Sequence, residues 1–427
     1  MSKGIKLLGH KELTKNKKLG VCNKPKYVYI PLISQNDTNI TILVKKGDYV
    51  YKGSHIGKRK GNLRIPIISS VSGTVIDFVT KTYHNGDQVK CVQIENDFKE
   101  KYEDNRMTRK ERVKLSKDEF INLLHDNAVI GMGGAGFPTY IKYNTNEKIK
   151  TLLVNAVECE PFITADYALI KEHPEELLES MDMIMEINHI ESGIIAIKKT
   201  NTELIEILNN YIGTYLHIKI VEVPNLYPMG WERALIKEVL KEEYNKLPIE
   251  KGIVVNNIST IYAIYEALKF NRPLTERIVT FTGFGLNEPQ NVLVKIGMEA
   301  KEVLSSLKVK ENDVLFVAGG PMMGECIPDD NLVISSDLNC ILVLPFEKTA
   351  PTLECLRCGK CVQVCPAKLS PVLIKDNVNN IERLKELEIN RCIECGLCSY
   401  ICPSKILVRE FVRKAKENVR KEENNGK

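Results

Sequence analysis

The sequence predicts a multidomain protein of mixed α/β and β class, built from four units in series. Three observations predict it. At 427 residues the chain is too long for a single hydrophobic core. Its apolar periodicity changes along the chain, from strand-like to mixed helix and strand and back to strand-like. Its last 73 residues hold eight of the 13 cysteines, as two copies of one spacing.

The first unit, residues 1–112, alternates in short runs: YVYIPLI, NITILVKKGDYVYKG, IPIISSVSGTVIDFV and KCVQIEN. Turn signals at Gly47, Gly53, Gly73 and Asn85-Gly86 break the runs, which predicts an all-β unit. VKKGDYVYKG followed by SSVSGTVIDF resembles the β-sandwich of biotinyl and lipoyl carriers. The corresponding turn, Ser70-Val71-Ser72-Gly73, holds no lysine to modify, so a scaffold is expected here rather than a swinging arm.

The second unit, residues 113–265, alternates helix and strand. KDEFINLLHDNAVI reads as a helix, TLLVNAVE as a buried strand, and TADYALIKEHPEELLESMDMIMEI as one long amphipathic helix. GIIAIK and IKIVEV read as strands and GWERALIKEVLKEEY as a helix, so a mostly parallel sheet is expected. The third unit, residues 266–349, offers RIVTFTGFG, a turn at Asn287-Glu288-Pro289, NVLVKIG and the helix MEAKEVLSSL, which suggests a β-grasp fold. The fourth unit, residues 350–427, carries the cysteine runs and a charged helical tail ending in ENNGK, expected to fray.

Those runs are Cys355-x2-Cys358-x2-Cys361-x3-Cys365-Pro366 and Cys392-x2-Cys395-x2-Cys398-x3-Cys402-Pro403. In the bacterial ferredoxin run three close thiolates hold three irons of a [4Fe–4S] cube, and the fourth Cys ligates the other cube. Cys355, Cys358, Cys361 and Cys402 are thus expected on one cluster, and Cys392, Cys395, Cys398 and Cys365 on the other. Zinc ligands come instead as separated CxxC pairs. Two interlocked clusters make a short electron wire, which needs a donor and an acceptor.

Composition narrows the setting. A hydrophobic content of 43% with 27% charged residues is globular, and no apolar run of about 18 residues offers a membrane span. A net charge of +5 is too small to argue for nucleic acid. The tail after Cys402 is more basic, eight Lys/Arg against four Glu, which reads first as a solvated helix face and second as a docking surface. MSKGIKLLGHKELTKNKKLG lacks the apolar core of a signal peptide. The remaining thiols (Cys22, Cys91, Cys159, Cys326 and Cys340) fit a reducing cytoplasm.

The second unit carries a further constellation. Gly131-Met132-Gly133-Gly134-Ala135-Gly136-Phe137-Pro138 could bring backbone N–H groups to a phosphate, or form only a tight turn. Asn155, Glu158 and Glu160 follow a strand, where open α/β sheets bind ligands. Tyr227-Pro228-Met229-Gly230-Trp231-Glu232 and Asn256-Asn257-Ile258-Ser259-Thr260 come later.

These four blocks, in order, resemble the flavin-bearing NADH-oxidising subunit of respiratory complex I. The whole domain order, with GMGGAGFPTYIK, NAVECEPFITAD, YPMGWERALI, RPLTERIVTFTG, GGPMMG and CIECGLCSYICPSKI, resembles the RnfC-like family and its soluble relatives, among them the proline reductase-associated protein PrdC. The third unit is then expected to be the family's SLBB-type β-grasp. By match to the complex I blocks, Gly131, Gly133, Gly134, Gly136, Phe137 and Lys142 carry over as FMN and nicotinamide nucleotide contacts. So do Asn155, Glu158 and Glu160; Tyr227, Gly230 and Glu232; and Asn256, Asn257 and Thr260, the last three as a phosphate cradle. Met132, Tyr140, Val157, Cys159 and Trp231 depart from those blocks. Val157 and Trp231 are expected to remove polar groups from the dinucleotide face, with Trp231 free to cover the flavin or an adenine.

The resemblance implies an NADH-oxidising oxidoreductase component. Electrons would pass from NADH to FMN, to two [4Fe–4S] clusters, and to a partner redox protein. That partner would be an Rnf-type membrane protein, or a proline reductase or ferredoxin-type acceptor. The protein is expected in the cytoplasm, at most peripheral on the membrane's cytoplasmic face through partner subunits. The alternatives are a two-cluster relay adaptor that uses no nucleotide, and a cobalamin reductase.

Overall fold

A computed structural model describes residues 4–33, 37–61, 63–103, 113–310, 313–348 and 351–425, with side chains described as far as residue 423. The first unit forms two antiparallel sheets. One orders the strands Tyr27–Pro31, Gln88–Asn96, Gly73–Thr82 and Tyr49–Val50; the other orders Ile40–Ile42, His55–Arg59 and Pro66–Ile68. Alternate residues (Val28, Ile30, Val92, Ile94) point into one apolar cluster with Val50, Ile56 and Val75. The turn at Ser69–Ser72 is buried, and Ser70 Oγ donates to the carbonyl of Ile296. A turn locked in that way is a domain contact and not a mobile arm.

The second unit has a four-stranded parallel sheet, ordered Ile218–Val223, Ser192–Lys198, Thr151–Ala156, Ile253–Asn257. Successive crossovers build outward from Thr151–Ala156 on one side, and the last returns to its other side. The order therefore reverses between Thr151–Ala156 and Ile253–Asn257, the place where such sheets open a ligand crevice. The expected long helix is two: Ala165–Glu172 and Pro174–Asn188. Pro174 has no N–H to continue the ladder and forces His173 out of helical geometry (φ −135°, ψ 47°).

The third unit is a six-stranded sheet ordered Gly20–Cys22, Gln290–Lys295, Glu276–Thr282, Cys340–Pro345, Val314–Ala318, Glu325–Ile327. The helix Ala300–Leu307 packs Val303, Leu304 and Leu307 against it. Its edge strand comes from the chain's beginning, pairing in parallel with Val292–Val294.

The fourth unit packs short helices around Cys365, Ile374, Leu384 and the inner face of the helix Val408–Asn425 (Val412, Ala415, Val419). That helix is not a bare basic tail, and of the expected frayed end Gly426 and Lys427 lie outside the described residues. Arg409 and Arg413 pair with Glu325, and Lys416 with Glu394 at 2.6 Å, so much of its charge is engaged within the molecule. Among the described residues no helix is long and apolar enough to cross a membrane.

Candidate functional site

The glycine loop stands at the reversal of strand order. Gly131 N donates to Phe137 O at 2.7 Å and Gly136 N to Gly131 O at 3.1 Å, which closes the loop at its base. Its underside is held by Met132, whose N donates to Thr260 Oγ1 at 2.9 Å and whose carbonyl accepts from Arg277 Nη2 at 3.3 Å. The crest is exposed. The N–H groups of Gly133, Gly134 and Ala135 have no acceptor among the described residues. Gly134 has φ +104°, which only glycine adopts easily, and a Cβ there would meet nothing within 4 Å. A Cβ on Gly133 would press on Asn257 at 3.3 Å.

The strand ends supply the polar groups. Asn155 Nδ2 donates to Gly230 O at 2.9 Å, and Gly230 lies against Cys159. Asn257 caps the helix Ile258–Phe270 by accepting from Ser259 N at 2.9 Å. Its Nδ2 donates to Asp166 Oδ2 at 2.7 Å, while Ser259 Oγ donates to Asp166 Oδ1 at 2.6 Å. Asn256 Nδ2 donates to the Tyr143 hydroxyl, leaving its buried Oδ1 without a partner. Lys142 Nζ donates to Val255 O at 2.6 Å, and burial lowers its pKa against the opposing pull of Glu232. Glu232 accepts from the Tyr244 hydroxyl at 2.8 Å.

Three residues of these blocks have partners elsewhere in the fold. Glu158 Oε1 accepts from Asp166 N at 2.8 Å, in the first turn of Ala165–Glu172, and Oε2 lies 3.6 Å from Lys11. Val157 is wholly buried in an apolar cluster with Leu153 and Val223. Trp231 packs against the core of the cysteine module, because the chain before helix Glu232–Leu240 turns toward that module. Sequence motifs alone do not single out Asp166, Ser259, Arg277, Lys11 and Lys198. Of these Asp166, Ser259 and Arg277 sit inside quoted motif blocks, but only tertiary contact shows their convergence.

Glu160 faces the third and fourth units. Its Oε1 accepts from the N–H groups of Met322 and Met323 at 3.0 and 2.8 Å, and Oε2 is buried without a partner. The carboxylate lies so close over Gly320 that a Cβ there would be 1.9 Å from Glu160 Cγ. Burial pushes the Glu158 and Glu160 carboxyls up from 4.5 to about 7. Between about 4.5 and about 7 the folded protein therefore holds more protons than the unfolded chain, so stability should rise as pH falls through that window. Glu160→Gln should flatten the rise, read as thermal midpoints of anaerobic protein at about pH 5.5 and about pH 8. Equal slopes in variant and wild type would contradict the buried placement.

The second cysteine run is docked on this region. The Tyr227 hydroxyl donates to Cys395 O at 2.7 Å, and Tyr227, Met322, Cys395 and Leu397 share one apolar cluster. Cys365 stands beside Cys392, Cys395 and Cys398, close enough that its charge acts on all three thiols. Among the described residues no three His, Cys, Asp or Glu side chains converge on one ion. A cube instead spreads its thiolates over four irons.

Comparison with known proteins bears on this geometry. Residues 1–99 match the RnfC barrel sandwich hybrid domain, 124–266 the Nuo51 FMN-binding domain and 350–407 a 4Fe-4S dicluster domain. The C component of the proton-translocating ferredoxin:NAD(+) oxidoreductase complex of Clostridium ljungdahlii is 31% identical over 372 residues, 85% of this chain and 81% of its own. The chain belongs to the RnfC family. The corresponding component of the Na(+)-translocating ferredoxin:NAD(+) oxidoreductase complex of Acetobacterium woodii is 31% identical over 86% of this chain and 84% of its own. For that of the ion-translocating oxidoreductase complex of Rhodobacter capsulatus the figures are 32%, 86% and 73%. A solved NAD+-reducing [NiFe]-hydrogenase chain superposes with a TM-score of 0.51 at 16% identity, over 71% of this chain and 61% of its own, which establishes shared fold alone.

This RnfC-family chain is an electron-transfer protein whose cofactors are FMN and two [4Fe–4S] clusters. Its residues fit them. The unclaimed N–H groups of the glycine crest suit a phosphate, the unpartnered Asn256 Oδ1 suits a donor, and the eight thiols suit two cubes.

Proposed function

We propose that the chain passes electrons between a nicotinamide dinucleotide and a partner redox protein, with the glycine loop and the strand ends as the flavin and nucleotide site. When bound, FMN accepts an electron pair as hydride and releases electrons singly. Gly131, Gly133, Gly134 and Gly136 shape a crest whose amides take the phosphate. Asn257 and Thr260 hold that crest to the start of helix Ile258–Phe270, Asn256 offers its Oδ1 to the cofactor, and Asn155, Gly230 and Lys142 set the strand ends beneath it. Phe137 flanks the loop and Glu232 faces Lys142. Glu158 fixes the helix Ala165–Glu172, Glu160 holds the Met322–Met323 turn of the third unit, and Tyr227 holds the cluster module against the flavin unit. Cys392, Cys395, Cys398 and Cys365 would ligate the inner cluster; Cys355, Cys358, Cys361 and Cys402 would ligate the outer one.

The observation that carries this reading is the joining of two features. A crest of unclaimed amides stands at the sheet's reversal point, and the inner cysteine run is hydrogen-bonded through Tyr227 to the same unit. The relay-adaptor reading rests on Val157 and Trp231 as lost nucleotide contacts, and both side chains point elsewhere. The relatives favour membrane proteins of an Rnf-type complex as partners. A proline reductase-type acceptor is the other candidate, and co-purification from native cells separates the two. Anaerobic protein should show a flavin absorbance band that NADH bleaches. A flavin that dithionite bleaches and NADH does not would overturn nucleotide use.

A further inference from the structure

The two cysteine runs, 37 residues apart, repeat in conformation as well as in sequence. Arg357 and Glu394 share a left-handed backbone (φ 53° and 54°), as do Gly359 and Gly396 (74° and 77°) and Lys368 and Lys405 (59° and 55°). The short helices Lys360–Gln363 and Leu397–Tyr400 follow at equivalent positions. Each residue of one face therefore has a counterpart on the other.

The second face is mated. Gly396 lies so close to Met322 that a Cβ would be 2.4 Å from the Met322 carbonyl oxygen, Leu397 is wholly buried, and Cys395 O accepts from Tyr227. The first face is bare. A Cβ on Gly359 would meet nothing within 4 Å, Leu356 is 68% exposed, Leu353 beside it is 63% exposed, and the ligand Cys358 is itself exposed. Its charge also differs. Lys360 stands where Leu397 is buried, and Arg357, paired with Asp376 at 2.8 Å, stands where Glu394 is. Lys360 makes no ion pair among the described residues, and Lys405 is exposed nearby, its carbonyl accepting from Thr352 at 3.4 Å.

We propose that the face formed by Leu353, Leu356, Arg357, Gly359 and Lys360 docks an iron–sulfur protein or domain with an acidic surface, in the manner in which the second face docks on Met322 and Tyr227. The inference deepens the electron-transfer reading above and rests on it for the partner's redox character. Gly359 permits close backbone approach, the two leucines supply apolar contact, and Lys360 with Lys405 selects negative charge. A second copy of this chain would bring the same cations and be repelled. A membrane would gain nothing from an exposed cluster ligand. The exchange is one electron, oxidising one cluster and reducing the other, with no bond made or broken.

Calorimetric titration of anaerobic holoprotein with an acidic bacterial ferredoxin tests this without turnover. Lys360→Glu and Leu356→Ser should each weaken binding by about tenfold or more, and binding should weaken with added salt. Unchanged iron content and cluster absorbance show that the variants fold, and Lys148→Glu, on the second unit, serves as a control. No binding of ferredoxin by wild type, or equal binding by both variants, overturns the proposal. Attachment to anionic phospholipid vesicles in place of ferredoxin would also overturn it and assign the face to a membrane. Failure of NADH to reduce the protein would refute nucleotide use and leave this result standing.

Discussion

Cys365→Ala should cost the protein the cluster held by the 392–398 run and spare the one nearest to Cys365 in sequence. Intact anaerobic protein should hold about eight irons, and the variant about four. Cys365 is buried, accepts from Leu369 N at 3.4 Å, and stands with Cys392, Cys395 and Cys398. The fourth iron of the inner cube would lose its thiolate in a site too enclosed to offer a ready substitute. The inner run is also the one bonded to Tyr227, so its loss should disconnect the outer cluster from the flavin unit. Cys402→Ala is the reciprocal experiment and should remove the outer cluster. Iron analysis with electron paramagnetic resonance reads both variants. Loss of the 355–361 cluster in Cys365→Ala, with the other retained, would refute the crossed ligation.

Gly134→Val should abolish FMN binding while leaving the clusters in place. A valine there meets no protein atom, so packing is not what it harms. It harms two other things. The backbone at φ +104° is strained for any L side chain, on the order of 1–3 kcal/mol. The branched side chain also fills the space that the crest amides face, where a phosphate must approach. Flavin released on denaturation and iron content, measured together, decide the matter. Stoichiometric flavin in the variant would reduce the loop to a turn.

Legibility follows the range of the interactions. The dicluster module can be read because its cysteine spacing is local. The parallel sheet can be read from apolar runs between helical patterns. The two helices read as one because their periodicity carries across Pro174, and only the lost N–H divides them. The strand Gly20–Cys22 is not legible, since its partner Val292–Val294 is some 270 residues away. Motif matching finds the site's neighbourhood but not the direction of its side chains. Glu158, Glu160 and Trp231 lie in the expected blocks, yet one fixes a helix, one grips the Met322–Met323 backbone, and one packs on the cluster module. Asp166 shows the converse. It reads as an ordinary helix acid, and only the fold brings Asn257 and Ser259 onto its two oxygens.

The central claim is that the nucleotide site and the clusters form one electron path. Anaerobic protein reduced with limiting dithionite and then mixed with NAD+ tests it most directly. NADH absorbance should rise as the cluster resonance signals fade, with matching electron counts. Clusters that stay reduced beside NAD+, in protein shown to contain flavin, would contradict it.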